Sequence, residues 1–308
     1  MVGRTIALRL VEGEEIHVQN LQGETGVVND TLTSTALTVY NLPSQCPVVW
    51  AVHPTPQGVG RLRFANVITQ HGATVYNSGT AEIRCPISGV LFIALTVGLE
   101  AQQPVNIFLR GGTQQPVLSS LSTHSNGTTM LSRQYLVQCD VTDAFYFEIT
   151  DGMVDSDLVT LSTSLTVRLC EAERAIAFAV YRSSRLGLEL SPLVPEGLPV
   201  AFPVVAFDTA GALQGGVYTI TSAGAYYFYV STGAQRLQAV GVRLMLNNVP
   251  VVELRRDSTS HNGVETLGRG VLLDVRRGDV LFVSKLKESF MYSDIGLHTS
   301  FFGMKIYD

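Results

Sequence analysis

The chain has 308 residues, a formal net charge of −5 at pH 7 and a hydrophobic share of 46%. This length suits two domains better than one, and the mild charge gives no support for nucleic acid or an acidic membrane as partner. Charged residues make up only 15% of the chain, against about 25% in an average globular protein. Either the surface uses uncharged polar side chains, or part of it is buried in an oligomer, since interface cores are depleted of charge. We favour the oligomer.

Two sequence-wide features concern the membrane and the cysteines. No apolar run approaches the roughly 18 residues of a membrane span, so the sequence predicts no span. Met1–Thr5 does not open like a signal peptide, which fits a cytosolic chain or a mature secreted one. The four cysteines, Cys46, Cys85, Cys139 and Cys170, allow three pairings and form no CxxC motif. A zinc site is therefore not predicted.

Residues 1–45 come first and are too short for a domain of their own. Ile6–Val11 and Thr33–Tyr40 interleave β-branched or leucine residues with polar ones, which is typical of strands. Turn-forming Gly and Glu residues separate them. We predict a short N-terminal β extension or stem.

The remainder is an internal repeat. Asn126 and Asn262 stand in similar Ser-, Thr- and His-containing turns 136 residues apart, and Gly89 and Gly224 each open an apolar strand pattern 135 residues apart. Residues 46–171 and 175–308 are therefore interpreted as two copies of one fold. Each copy has about ten short strand patterns and no convincing helix, which predicts a β-sandwich or jelly roll.

One strand of the second copy stands out. Gly224–Val230 is a glycine followed by closely packed aromatics. Tyr226 and Phe228 share one face, and Tyr227 and Tyr229 share the other, because side chains alternate along a strand. A strand loaded on both faces is predicted to be covered on both sides.

The second copy also contains a spaced set of residues. They are Ala177-Phe178 at the opening strand, then Phe202, Asp208, Leu213, Tyr218, Gly224, Tyr226 and Phe228, then Gly278-Asp279 and Phe301-Phe302-Gly303. This pattern resembles the globular-head domain of complement C1q, a jelly roll of the tumour necrosis factor type. It departs from the family at two positions: Tyr218 replaces a phenylalanine and stands two residues early when counted from Leu213, and Val230 replaces the last aromatic.

The first copy departs further. Gln70 replaces the Asn or Asp of the motif, and Leu91 and Ile93 replace the aromatic run, so its assignment depends on the repeat. The resemblance implies an all-β chain of two tandem jelly-roll β-sandwiches, the first a degenerate C1q-like copy. It also implies an extracellular trimer, although no collagen-like Gly-X-Y run is present.

The resemblance also implies how the cysteines pair. In the family's strand order the first and last strands pair antiparallel, as do the glycine-led strand and the long strand before Gly278-Asp279 in the second copy. Antiparallel pairing places one strand's start beside its partner's end. It therefore implies disulfides Cys46–Cys170 and Cys85–Cys139, within the roughly 4.4–6.8 Å Cα separation that a disulfide needs. The alternative is four free thiols.

The sequence contains no nucleophile elbow, phosphate loop or His-Glu-x-x-His motif, so it predicts no catalytic site. Candidate binding residues fall in three places. An acidic loop with Glu148 nearby could bind calcium or be simply solvated. Two arginine pairs suit carboxylate or phosphate ligands, or are ordinary charged loops. The residues are Asp151, Asp155 and Asp157 for calcium, and Arg255, Arg256, Asp257, His261, Asn262, Arg276 and Arg277 for ligand.

Two further surface assignments follow. Asn29 and Asn126 begin glycosylation sequons. Tyr227 and Tyr229, with Phe92 at the matching face of the first copy, are predicted to form the trimer interface.

The function expected from the resemblance is binding, without catalysis. We expect a secreted, lectin-like homotrimer that recognises repeated glycan or microbial surface ligands in innate immunity. Its partners would be its own copies and a carbohydrate or surface protein; no cofactor is required, although calcium is possible. The alternatives are a structural matrix, egg-coat or adhesive protein and a cytokine-like receptor ligand. A viral jelly-roll coat protein would leave the C1q pattern unexplained.

Overall fold

The computed structural model describes most of the chain after residue 45. The described ranges are 46–53, 55–99, 104–112, 116–121, 129–156, 162–183, 195–235, 238–256, 264–287, 289–293 and 296–307. The β extension predicted for residues 1–45 lies outside them. Within these ranges no helix has the length and apolarity needed to cross a membrane.

The first copy is built from short antiparallel strands. They are β1 (Val48–Val52), β2 (Gly60–Arg61), β3 (Asn66–His71), β4 (Tyr76–Asn77), β5 (Glu82–Arg84), β6 (Gly89–Leu99), β7 (Pro104–Arg110), β8 (Val117–Leu121), β9 (Thr129–Cys139), β10 (Ala144–Gly152) and β11 (Ser164–Glu171). A 3-10 turn, Ala172–Arg174, follows β11 and leads into the second copy.

The second copy is also built from antiparallel strands. Its strands are β12 (Ala177–Arg182), β13 (Val204–Asp208), β14 (Leu213–Gln214), β15 (Val217–Thr219), β16 (Gly224–Gln235), β17 (Val240–Leu246), β18 (Val249–Arg256), β19 (Val264–Val275), β20 (Val280–Lys285) and β21 (Thr299–Tyr307).

Both copies arrange their strands in the same order. The first pairs them as β3-β1-β11-β6-β9 in one sheet and β4-β5-β10-β7-β8 in the other, with β2 beside β10. The second repeats this as β13-β12-β21-β16-β19 and β14-β15-β20-β17-β18. Each copy is thus a jelly roll with its first and last strands paired, which confirms the predicted all-β fold of two tandem jelly rolls.

Each copy has its own core, and the period-two pattern decides which side chains enter it. In β10, Phe145, Phe147 and Ile149 are buried while their neighbours are partly buried or exposed, as expected for a strand with one face on the core. In the second copy Phe301 is fully buried against the rings of Phe178 and Phe228. These three rings belong to one sheet, and the Phe178 ring also stacks on Tyr218 of the opposite sheet, with centroids 4.1 Å apart.

The strand β16 is interior to its sheet, between β21 and β19. Its Tyr226 and Phe228 lie in the second copy's core. Its Tyr227 and Tyr229 belong to a different apolar cluster, to which both copies contribute. The prediction of a strand covered on both faces is therefore correct.

Candidate functional site

The two jelly rolls pack against each other through the outer faces of β6 and β16. The rings of Phe92 and Tyr227 meet edge to face, with centroids 5.7 Å apart and planes at 87°, an arrangement that aromatic rings favour. The Tyr227 hydroxyl donates a hydrogen bond to Gln134 Oε1 at 2.7 Å. Tyr229 stacks on Phe302, which itself contacts Phe92. These contacts form a continuous junction between the copies.

This junction corrects the assignment of the trimer interface. Tyr227, Tyr229 and Phe92 are 7%, 2% and 2% exposed within a single chain, so they cannot meet a neighbouring subunit. The physical reason is the tether: β11 is joined to β12 by residues 172–176 alone. Two matching apolar faces held so close meet at a high effective concentration, and the intrachain contact forms first.

Two glycines make the junction possible. A Cβ added at Gly268 would overlap the Tyr229 hydroxyl, and one at Gly270 would overlap the Tyr227 hydroxyl. Both glycines lie in β19, beside β16. Because they lack side chains, the tyrosine rings can lie across β19.

A buried arginine lies within the same junction. Arg133 of β9 is fully buried and donates a hydrogen bond to the carbonyl oxygen of Leu297 in the second copy. Burial raises the pKa of Tyr181 and of Tyr229 to about 12, although the Arg133 charge acts in the opposite direction. The two phenols are therefore neutral at physiological pH.

A crevice opens where the edge of this junction reaches the surface. Its volume is about 460 Å³, and both copies line it. Its polar and thiol-bearing walls come from Cys46, Arg168, Cys170, Glu171, Arg174, Ser222 and Lys305. Sequence reasoning did not predict the crevice, because residues from both copies, among them 46–47, 168–171 and 304–307, line it and meet only when the copies pack.

The two cysteines in this crevice correct a second prediction. Cys46 and Cys170 are free thiols and do not form the predicted disulfide. The predicted pairing of strands is present: the thiols lie next to each other and share a hydrogen bond. Strand pairing sets their proximity, whereas oxidation depends on the redox conditions around the protein.

The other predicted disulfide is present. Cys85 and Cys139 are bonded, with a Cα separation of 6.3 Å. Both are buried in the first copy's core. Cys139 ends β9 opposite Gly89, the residue that begins β6, so the bond fixes one end of this sheet.

The acidic loop proposed for calcium is only partly described. Asp151 is exposed in β10 opposite Asn106, and the backbone of Asp155 pairs with Gly98. Asp157 lies outside the described residues. Glu148 is held in an ion pair with Arg110 at 2.8 Å. Within the described ranges no three His, Cys, Asp or Glu side chains come together as a metal site, so calcium stays a prediction.

The two arginine pairs do not form one site. Arg255 is exposed near the end of β18, before β19 begins, whereas Arg276 and Arg277 are exposed directly after β19 ends. The 12 residues of β19 separate them by roughly 35 Å at strand rise. The structure therefore offers two separate candidate surfaces.

The first surface is described only at one edge. Arg256 pairs through its backbone with Val240, while Asp257, His261 and Asn262 lie outside the described residues. The glycosylation candidates Asn29 and Asn126 also lie outside them.

The second surface is a turn closed by hydrogen bonds. Asp279 accepts a hydrogen bond from the Arg276 backbone N–H at 2.7 Å and another from the Asn247 side chain at 2.9 Å. These bonds, the Arg276 one first, lower the pKa of the Asp279 carboxyl. Asp279 thus closes the turn, and the side chains of Arg276 and Arg277 are exposed on it.

Comparison with known protein families agrees with the sequence pattern of the second copy. Residues 178–304 match the model of the C1q domain family, in agreement with the resemblance predicted for the second copy. The family match does not extend to the first copy, whose kinship stays an inference from the repeat and the shared strand order. No curated relative matches the chain.

The solved structures that resemble this chain each cover less than half of it. The globular domain of zebrafish complement 1qA is 23% identical and has a TM-score of 0.34, with 42% of this chain and 97% of that one covered. Murine APRIL at pH 5.0 is 10% identical and has a TM-score of 0.34, with 41% of this chain and all of that one covered.

Proposed function

We propose that this chain is an extracellular, non-catalytic binding protein that recognises repeated surface ligands, glycan or microbial, through several heads at once. The observation behind this proposal is the buried junction between its two jelly rolls. Because Phe92, Tyr227 and Gln134 hold the copies together, each chain presents two heads as one body. Several weak sites on one body raise avidity without any new contact.

The arginine surfaces are the proposed contacts with ligand. Arg276 and Arg277 are exposed on a turn that Asp279 stabilises by accepting a hydrogen bond from the Arg276 backbone N–H, so both guanidinium groups are accessible to a ligand. Arginine forks recognise carboxylates such as those of sialic or uronic acids. Arg255 offers a second point of contact at the far end of β19. Calcium at Asp151, Asp155 and Asp157 would be an additional requirement, which a chelator would test.

We further propose that the chains associate as homotrimers through a surface other than the junction. Such a trimer would carry six jelly rolls and multiply the avidity again. Molar mass in solution, measured with and without a calcium chelator, tests this. A mass three times that of one chain is expected; a monomer at micromolar concentration contradicts it.

A glycan array tests the ligand class. We expect saturable, selective binding to acidic glycans by the wild type and a clear loss for the Arg276→Ala, Arg277→Ala double variant. The matched control is Arg84→Ala, an exposed arginine on the outer sheet of the first copy, which should bind as the wild type does. Unchanged glycan binding by the Arg276→Ala, Arg277→Ala double variant would overturn this assignment.

A structural role is the second candidate, because only 15% of the residues are charged and low surface charge favours assembly. The same array separates the two functions. The absence of glycan binding together with concentration-dependent growth beyond a trimer would favour a matrix, egg-coat or adhesive component. Saturable binding to a cell-surface protein would favour the cytokine-like alternative.

A further inference from the structure

The crevice between the copies contains two thiols, those of Cys46 and Cys170, that lie close enough to form a disulfide. The two strands that hold them, the approach to β1 and the end of β11, run antiparallel. The backbone N–H of Leu169 donates to the carbonyl oxygen of Pro47 at 3.0 Å, and Val48 lies opposite Arg168. One step further along this register, Cys46 stands directly opposite Cys170.

This register position is a non-hydrogen-bonded one, since the hydrogen bond falls at the neighbouring pair. Cα atoms at such positions are about 4.5 Å apart and the side chains are close, within the roughly 4.4–6.8 Å range of disulfides. The two sulfur atoms can therefore bond without moving the backbone. Both residues are partly exposed and line the crevice, so a small reagent can reach them.

The two thiols are chemically unequal. The hydrogen bond from the Cys170 thiol, aided by the nearby Arg168 charge, lowers the pKa of Cys46 to about 6, against the opposing effects of burial and Glu171. The Arg168 Nη2 lies 3.9 Å from Cys46 Sγ. The same hydrogen bond and burial raise the pKa of Cys170. Cys46 is thus the thiolate nucleophile and Cys170 the protonated partner, a division typical of exchange-active pairs.

We propose that Cys46 and Cys170 form a thiol–disulfide exchange site for small disulfides that carry carboxylates. The Cys46 thiolate attacks one sulfur of the disulfide RSSR, forms a mixed disulfide with it and releases RS⁻. Cys170 then loses its proton and attacks Cys46 Sγ, which forms the Cys46–Cys170 bond and releases the second RS⁻. The protein dithiol is oxidised by two electrons, and one RSSR is reduced to two thiols.

The walls of the crevice set the preference for an anionic reagent. Among the described residues that line it, Arg168, Arg174 and Lys305 are basic and only Glu171 is acidic, so positive charge is in excess there. The Arg174 side chain is 71% exposed and its Nε lies 3.7 Å from Glu171 Oε2, so a dissolved ligand can reach its guanidinium group. A positively lined cleft raises the local concentration of anions.

The experiment uses the full chain, mildly reduced without denaturant, so that the buried Cys85–Cys139 bond stays closed. It is treated with dithiodipropionate, hydroxyethyl disulfide or cystamine, which are anionic, neutral and cationic. Thiol release is followed by absorbance and adducts by mass. The wild type should release two thiols per chain, acquire the Cys46–Cys170 link and react fastest with dithiodipropionate. Cys170→Ser should retain one adduct at Cys46, and Cys46→Ser should react about ten-fold more slowly.

A second variant tests the charge preference without touching the thiols. Arg174→Gln should reduce the rate ratio of dithiodipropionate to cystamine several-fold, while Arg84→Gln, outside the crevice, should leave it unchanged. The proposal is overturned by a stable adduct in the wild type with no Cys46–Cys170 link. It is equally overturned if Cys46→Ser reacts at the wild-type rate, or if the three disulfides react in no charge order.

Discussion

The Tyr227 hydroxyl of the second jelly roll donates a hydrogen bond to Gln134 Oε1 of the first at 2.7 Å. Tyr227 lies in β16 and Gln134 in β9, 93 residues earlier. This bond lies within an apolar junction, where a polar group left without its partner costs more than it would at the surface. The two copies are therefore expected to unfold together.

Removing this hydrogen bond tests the junction directly. Tyr227→Phe keeps the ring on Phe92 but leaves the Gln134 oxygen without this donor, so we expect the free energy of unfolding to fall by about 1–2 kcal/mol. Chemical denaturation measures the change. Tyr307→Phe is the matched control, since Tyr307 is 48% exposed. Equal effects of the two substitutions would show that the junction does not contribute to stability.

A methyl group on β19 tests the close approach of the tyrosine rings. Gly270→Ala would overlap the Tyr227 hydroxyl and should destabilise the chain by about 1–3 kcal/mol through overpacking. Gly58→Ala is the control, because a Cβ there meets nothing within 4 Å. Differential scanning calorimetry compares the two, and a neutral Gly270→Ala would contradict the packing.

The two cysteine pairs should contribute differently to stability. The Cys85–Cys139 bond closes a loop of 54 residues, for which chain entropy predicts about 4 kcal/mol. Replacing both residues with Ala should lower the unfolding temperature strongly. Replacing Cys46 and Cys170 with Ser, in reduced protein, should lower it little, because no bond is lost. The reverse order would mean that the crevice pair, and not the core pair, supports the fold.

The junction should also respond to alkaline pH. The folded pKa of Tyr181 and of Tyr229 is about 12, against about 10 in an unfolded chain. A raised tyrosine pKa favours the fold while the phenol is neutral, so this stability is fully present below pH 10 and is lost as the pH rises towards 12.

Tyrosinate absorbance and denaturant midpoints between pH 9 and 12 measure this loss. The midpoint should fall in that range for the wild type and fall less for Tyr229→Phe, which has no phenol to ionise there. If every tyrosine ionised near pH 10 with the midpoint constant, the predicted burial of these phenols would be wrong.

Much of each jelly roll could be predicted from sequence because its signals are local. Alternation placed Tyr226 and Phe228 on the core face of β16, and turn residues separated the strands. The Cys85–Cys139 pair also followed once a strand order was assumed, since antiparallel neighbours bring fixed ends together. The crevice was less predictable, because residues as distant in sequence as Cys46 and Lys305 line it and only the packing of the two copies brings them together.

The sequence by itself determined that this chain is all-β, that it repeats, and that its second half has the pattern of a C1q domain, because side-chain period and residue spacing are properties of the chain. Only the tertiary structure decided what covers the outer face of β16. An apolar face requires a partner, but its pattern is the same whether that partner is another chain or the next domain. Here the short link after β11 makes the intrachain partner the nearest one, so Tyr227 meets Phe92 of its own chain, and the thiol-lined crevice forms at the edge of that contact.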